Sequence, residues 1–279
     1  MSQRDNSVTF EHVRSSDGLP IGYARFGSGP ALVIVHGTIH TAAEWFTVAR
    51  LLAETHTVYV MERRGRGHSR DEGKPYALQR EIEDVAAIAQ LAGPGAALFG
   101  HSFGGLLVLA HVLQSGFAGD AVLYEGVHGL FEGWSDVDTR PAEERLKAGD
   151  AEAALLALYH AVYRGAGTEQ LAKLRECVSW QAQVAQTTTA IREVKVLREF
   201  APTAKEGAGV KARVTLLMGT APDNYPPVGS AQIVERILGT TLLPIRGQDH
   251  YCHFWNPKLM ARMIRKSLEV AALEEGEVA

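Results

Sequence analysis

Short, almost wholly apolar runs punctuate the first half of the chain, at residues 31–35, 57–60, 96–99 and 121–124. Each spans four or five residues between polar or glycine-containing segments, the pattern of strands buried on both faces of a parallel sheet. Between the second and third runs the period changes. From Tyr76 to Ala92, the residues Leu78, Ile82, Val85, Ala86 and Ala89 recur at helical spacing, with Glu81, Glu83 and Asp84 expected to point away from that stripe. This predicts an amphipathic crossover helix. Ahead of these elements, residues 8–13 and 21–26 flank Asp17-Gly18-Leu19-Pro20 and predict an antiparallel hairpin at the sheet edge.

After Tyr124 the rhythm is different. Residues 131–209 carry no convincing strand; Leu155, Leu158, Tyr159 and Val162 form one apolar stripe, and Pro141 followed by Glu143 and Glu144 fits a helix entry. Strand–helix alternation then resumes, with strands over 214–218 and 241–245 and helices over 230–238 and 257–273. The expected organisation is an α/β core formed by residues 1–130 and 210–279, interrupted by an all-helical segment at 131–209.

Composition narrows the function classes. The 279 residues are 46% hydrophobic and 22% charged, ordinary for a globular chain, and 28 Lys plus Arg against 32 Asp plus Glu leave a formal charge of −4. Nothing in that balance favours nucleic acid or an anionic membrane, so the expected partner is a small molecule. Two cysteines, Cys177 and Cys252, form neither a disulfide framework nor a zinc pattern. With no signal-peptide segment at the start and no apolar stretch near the ~18 residues of a membrane span, a cytoplasmic location is expected.

The strongest chemical signal is Gly100-His101-Ser102-Phe103-Gly104-Gly105, directly after one predicted strand and before a helical pattern at 106–113. A nucleophile on a sharp strand-to-helix turn needs small residues two positions to either side, and Gly100 and Gly104 supply them. The Phe103 amide, at the start of the helix, is placed to stabilise an oxyanion.

These motifs resemble the α/β-hydrolase superfamily over nearly the whole chain. His36-Gly37-Thr38 is similar to the family's oxyanion-loop motif, which implies that the Thr38 amide is the second oxyanion donor. Arg63-Arg64-Gly65-Arg66-Gly67-His68-Ser69 is similar to the loop after the next strand, Gly247-Gln248-Asp249-His250 to the loop that delivers the catalytic histidine, and the helical segment to the family's cap. The resemblance implies an α/β-hydrolase fold: a mostly parallel central sheet flanked by helices, with an inserted helical cap.

A serine hydroxyl needs a base near neutral pKa, and His250, in a loop after a strand, is preferred to His253 three residues on. The acid follows in the order Ser, Asp, His. Only Asp223 stands after the strand at 214–218, later than the family's usual position, which falls at about Ala221. Glu125, at the end of the preceding strand, is the alternative. His36, Gly37, His40, His101, His128 and Trp134 are expected near the substrate pocket. A metal held by His250, Cys252 and His253 is set aside, and neither metal nor cofactor is expected.

The expected activity is hydrolysis of an ester, lactone or thioester of a small to medium acyl compound through Ser102, His250 and Asp223. Carbon–carbon bond hydrolysis, non-hydrolytic biosynthetic chemistry such as cyclisation, elimination or isomerisation, and ligand binding without turnover are the alternatives that the same fold supports.

Overall fold

In a computed structural model the described residues are 8–71, 75–126, 137–163, 168–200, 202–221, 235 and 238–276. Eight strands form one sheet: β1 (Phe10–Arg14), β2 (Pro20–Phe26), β3 (Ala31–Val35), β4 (Thr57–Met61), β5 (Ala97–His101), β6 (Asp120–Tyr124), β7 (Arg213–Gly219) and β8 (Thr241–Ile245). Their spatial order is β1-β2-β4-β3-β5-β6-β7-β8. The β1–β2 and β2–β4 pairs are antiparallel, and every pair from β4 through to β8 is parallel. The expected edge hairpin is therefore present. Its turn closes through Ser15 N to Leu19 O at 2.9 Å and Leu19 N to the Asp17 carboxylate at 3.0 Å, with Gly18 at φ 83°.

The parallel strands alternate their side chains between two apolar layers, as the two-residue period of a strand requires. Val33, Val35, Leu98, Ala121 and Leu123 face the layer covered by α2 (Leu78–Ala92) and α3 (Phe103–Ser115). Leu32, Ile34, Phe99, Val122 and Tyr124 face the layer under α1 (Phe46–Leu52), where Trp45, Val48 and Leu52 meet Met260 and Ile264 of the C-terminal helix. Helix α3 is buried along nearly its whole length, from Phe103 to Val112, and ends at Gly116 with φ 68°. An apolar helix with no polar face is the correct choice for the centre of such a layer.

Between β6 and β7 the described residues form no strand. They form α4 (Arg140–Lys147), α5 (Ala151–Tyr163), α6 (Thr168–Arg175), α7 (Trp180–Ala185), α8 (Thr187–Val196) and the short α9 (Ala204–Gly207). After β8 come α10 (Cys252–Trp255) and α11 (Pro257–Gly276). The helix expected over 230–238 falls almost wholly outside the described residues. None of the described helices is long and apolar enough to cross a membrane.

One expectation about α2 is corrected. Glu81 and Asp84, placed off the apolar stripe by the sequence pattern, are both fully buried. Arg63 donates to both Glu81 oxygens at 2.8 and 2.6 Å, and Arg64 to both Asp84 oxygens at 2.6 Å. Two bidentate arginine–carboxylate forks let acidic positions turn inward, because each buried charge meets its counterion and most of its hydrogen-bonding capacity. Glu193 of α8 joins the same cluster, 2.9 Å from Arg63 and 2.6 Å from Arg66. Arg192 pairs with Asp71 at 2.6 Å. The loop after β4 thus ties the helical segment to the sheet.

Candidate active site

Ser102 stands between β5 and α3 with φ 55° and ψ −125°, a conformation that a residue with a side chain rarely adopts. The surrounding glycines explain how it is tolerated. A Cβ on Gly104 would lie 2.2 Å from the Val35 carbonyl oxygen, and one on Gly100 would lie 2.5 Å from the Gly104 carbonyl oxygen. The start of α3 therefore presses directly on the end of β3, and the turn is locked by Ser102 N donating to Tyr124 O at 2.9 Å. Gly37 passes so close that a Cβ there would sit 2.9 Å from the Ser102 Cβ. This brings the loop after β3 beside the serine.

His250 lies between β8 and α10, almost fully buried. Its Nδ1 is 2.6 Å from Oε2 of Glu125. Glu125 follows β6 at φ 49°, and its other oxygen, Oε1, accepts from the Gly219 amide at the end of β7, at 2.7 Å. Strands β6 and β7 are neighbours in parallel register, Tyr124 opposite Leu217, so the first residue past β6 stands beside the end of β7. The carboxylate seen at Nδ1 is that of Glu125, the alternative acid in the sequence; Asp223 lies outside the described residues.

Two further bonds fix the histidine loop. His101 Nε2 donates to the His250 carbonyl oxygen at 3.0 Å, and the Tyr124 hydroxyl donates to the Asp249 carbonyl. Burial and the nearby His40 ring push the His250 pKa below the usual histidine value. The carboxylate of Asp249 acts in the opposite sense. Burial keeps the imidazole in its neutral resting form, which is the one a base requires.

Ser102, His250, Thr38 and Phe103 line one cavity of about 60 Å³, several times the roughly 10–15 Å³ that admits a single water. Much of its remaining wall is apolar, from Leu106 of α3, Leu155, Leu158 and Val162 of α5, Val194 of α8, and Leu197. The stripe read from the sequence of α5 thus faces the serine. The Phe103 amide heads α3, where an N–H has no partner in its own helix.

The remaining predicted pocket residues divide. His40 lines the cavity, and its Nδ1 is 2.9 Å from Oε2 of Glu44. Gly37 shapes the wall behind Ser102. His36 does not reach the cavity: its Nδ1 donates to Gly37 O at 2.9 Å and its Nε2 accepts from Arg63 N at 3.2 Å, so it braces the loop. His101 also stands behind the site, stacked on Tyr124 with ring centroids 5.0 Å apart. His128 and Trp134 lie outside the described residues.

Three tyrosines also line the cavity: Tyr159, expected only as part of the apolar stripe, and Tyr163 and Tyr251, which no sequence expectation named. Tyr251 shares its hydroxyl with Tyr163 at 2.7 Å and with Tyr159 at 3.4 Å. Burial raises the pKa of Tyr159 and Tyr251 well above the usual phenol value, so both keep their protons as donors. The local signals for this group were the place of Tyr159 in the α5 stripe and the position of Tyr251 directly after His250.

A model of the alpha/beta hydrolase family matches residues 32–271. A pimeloyl-[acyl-carrier protein] methyl ester esterase of Stenotrophomonas maltophilia is 35% identical over 83 residues, a match that covers 30% of this chain and 30% of that protein. Among solved structures, an alpha/beta hydrolase from Sphaerobacter thermophilus superposes with a TM-score of 0.77 at 25% identity, covering 92% of this chain and 99% of that one. A thermophilic esterase from Thermogutta terrifontis superposes with a TM-score of 0.76 at 15% identity, covering 94% of this chain and 98% of that one.

Proposed function

The chain belongs to the alpha/beta hydrolase family, and from that premise we propose that it is a serine hydrolase in which Glu125, rather than Asp223, completes the triad. Ser102 Oγ attacks an acyl carbonyl while His250 Nε2 takes its proton. Glu125 holds the Nδ1–H and stabilises the imidazolium that forms. The Thr38 and Phe103 amides receive the oxyanion, and His250 returns the proton to the leaving group before activating water for deacylation. The observation that carries this reading is the 2.6 Å contact between His250 Nδ1 and the Glu125 carboxylate, in a cavity shared with Ser102 on its strained turn.

The substrate class follows from the walls. Apolar side chains from the helical segment suit the hydrocarbon part of a small to medium acyl group, and an ester, lactone or thioester places its carbonyl at Ser102. The partial likeness to a methyl ester esterase supports an ester among these. The helices between β6 and β7 act as a cap over that acyl group.

Incubation with a fluorophosphonate and intact-mass measurement tests the nucleophile. Wild type gains one adduct and Ser102→Ala gains none. An unmodified wild type under conditions that label other serine hydrolases removes the assignment. A panel of p-nitrophenyl esters of increasing chain length then reads the acyl preference, expected to fall for chains too bulky for the apolar cavity.

A further inference from the structure

Behind the serine, on the far side of the sheet ends from the cavity floor, three buried histidines converge from three separate segments. His40 comes from the loop after β3, His101 from the last position of β5, and His253 from α10. Each offers a ring nitrogen, and the three nitrogens lie within 4.8 Å of one another. No local sequence pattern marks this set, because its members are 61 and 152 residues apart in the chain.

The tautomers are arranged for ligation. His40 Nδ1 is engaged by Glu44 at 2.9 Å, which leaves Nε2 as its other nitrogen. His101 Nε2 donates to the His250 carbonyl, so its Nδ1 carries the lone pair, and that Nδ1 is buried without a hydrogen-bond partner among the described residues. Neither ring nitrogen of the buried His253 has a partner there either. A histidine ligand held through its second nitrogen by a carboxylate or a carbonyl is the arrangement that fixes the metal-binding lone pair. Burial also lowers the pKa of His101 and His253, keeping them neutral, the form that ligates.

Packing alone does not account for the cluster. His253 stacks on Trp45 with ring centroids 4.5 Å apart and planes within 5°, and lies against Phe254. A phenylalanine would fill that space without leaving two ring nitrogens buried and unpaired. We propose that His40, His101 and His253 form a tris-imidazole site for one Zn²⁺-like divalent cation. Three points no more than 4.8 Å apart lie within about 2.8 Å of a common centre (4.8/√3). Zinc–nitrogen bonds of about 2.0–2.1 Å therefore ask each ring to close in by at most about 0.8 Å. Imidazole donors with no hard oxygen ligand select a borderline cation over Mg²⁺ or Ca²⁺. The ion enters through the cavity, which His40 lines, and a water on that side completes the coordination.

The site would clamp the oxyanion loop, the nucleophile strand and the histidine loop to one another. This inference is independent of the hydrolase reading, and its test uses no turnover. The chain is purified without a histidine tag, stripped by dialysis against a chelator, and titrated with Zn²⁺ against a chromophoric competitor and with Co²⁺ by visible absorption. Wild type is expected to bind one equivalent, to show the intense d–d bands of low-coordinate Co²⁺, and to gain Tm with added Zn²⁺. His253→Phe, which preserves the stack on Trp45, is expected to lose the Co²⁺ bands and the Tm gain. Glu44→Gln, which touches the ion only through His40, is expected to weaken binding about 10–100-fold. A folded wild type that takes up no equivalent of Zn²⁺, or one that binds no more tightly than folded His253→Phe, overturns the proposal. The wild-type and Glu44→Gln measurements decide it even where His253→Phe fails to fold.

Discussion

Glu125→Gln isolates the role of the carboxylate, because the replacement is isosteric and as strained at φ 49° as the original. Its consequence can be worked from two hydrogen bonds. Oε1 accepts from the Gly219 amide at 2.7 Å, while Oε2 faces His250 Nδ1 at 2.6 Å. A glutamine side chain has one acceptor oxygen and one NH₂. The Gly219 N–H, buried and fixed at the end of β7, claims the oxygen and leaves the NH₂ toward Nδ1. Nδ1 must then act as acceptor, the proton moves to Nε2, and the imidazole presents an N–H to Ser102 instead of a lone pair.

Loss of the correct tautomer is an effect of about 10³–10⁴ in rate, or about 4–5 kcal/mol on the barrier. The assay is the second-order rate of fluorophosphonate labelling at Ser102, followed by intact mass, which depends on serine activation and not on knowing the natural substrate. Asp223→Asn, measured in parallel, is expected to label within a few-fold of wild type. Full labelling of Glu125→Gln together with collapse of Asp223→Asn refutes the assignment of the acid.

The remaining predictions concern pH, packing and the buried charges. Since the neutral His250 imidazole is the active form and burial lowers its pKa, labelling persists as pH falls past the ordinary histidine value of about 6.5 and is lost only at lower pH; an acid limb above 6.5 contradicts the burial argument. Gly104→Ala drives a methyl to 2.2 Å from the Val35 carbonyl, an overpacking of about 1–3 kcal/mol or more. It lowers Tm by about 2–4 °C per kcal/mol in a chain of this size and abolishes labelling by shifting the turn; an unchanged Tm would show that α3 does not press on β3. Glu193→Gln removes the carboxylate shared by Arg63 and Arg66. Breaking a buried pair in this way costs about 3–5 kcal/mol, with Arg63 retaining Glu81 and so favouring the lower end; urea unfolding reads the loss, and a midpoint equal to wild type counts against the cluster as a tie between α8 and the sheet.

What the sequence disclosed depended on how far apart the cooperating residues lie. The turn at Ser102 is a local object: one strand, two glycines at fixed offsets and one apolar helix specify it within about fifteen residues, and the structure places it there. The acid is a different kind of problem. β6 and β7 end side by side, so a carboxylate just past either strand stands near the histidine loop. Chain order pointed to Asp223, which lies outside the described residues, and the side-by-side register brings the alternative, Glu125, onto both His250 and the Gly219 amide. Glu81 and Asp84 escaped in the same way. A helical wheel records which positions are polar, but their burial depends on Arg63 and Arg64 arriving from a loop some twenty residues earlier.

The two sides of the site obey one geometric rule. The C-terminal ends of parallel strands deliver successive residues to opposite faces, so each loop that sends a side chain into the cavity sends a neighbour behind it. β5 gives Ser102 to the cavity and His101 to the rear. The loop after β8 gives His250 to the cavity and, through α10, His253 to the rear. The loop after β3 gives Thr38 to the cavity, and His40 spans both sides. The rear groups are not passive filler, since His101 holds the carbonyl of His250 itself at 3.0 Å. Any force that draws the rear histidines together is therefore transmitted to the backbone that carries the base. A ring shift approaching about 1 Å behind the sheet ends is of the size at which misplacing a catalytic group can cost about 10²-fold in rate, so closure of the rear cluster would be felt at His250.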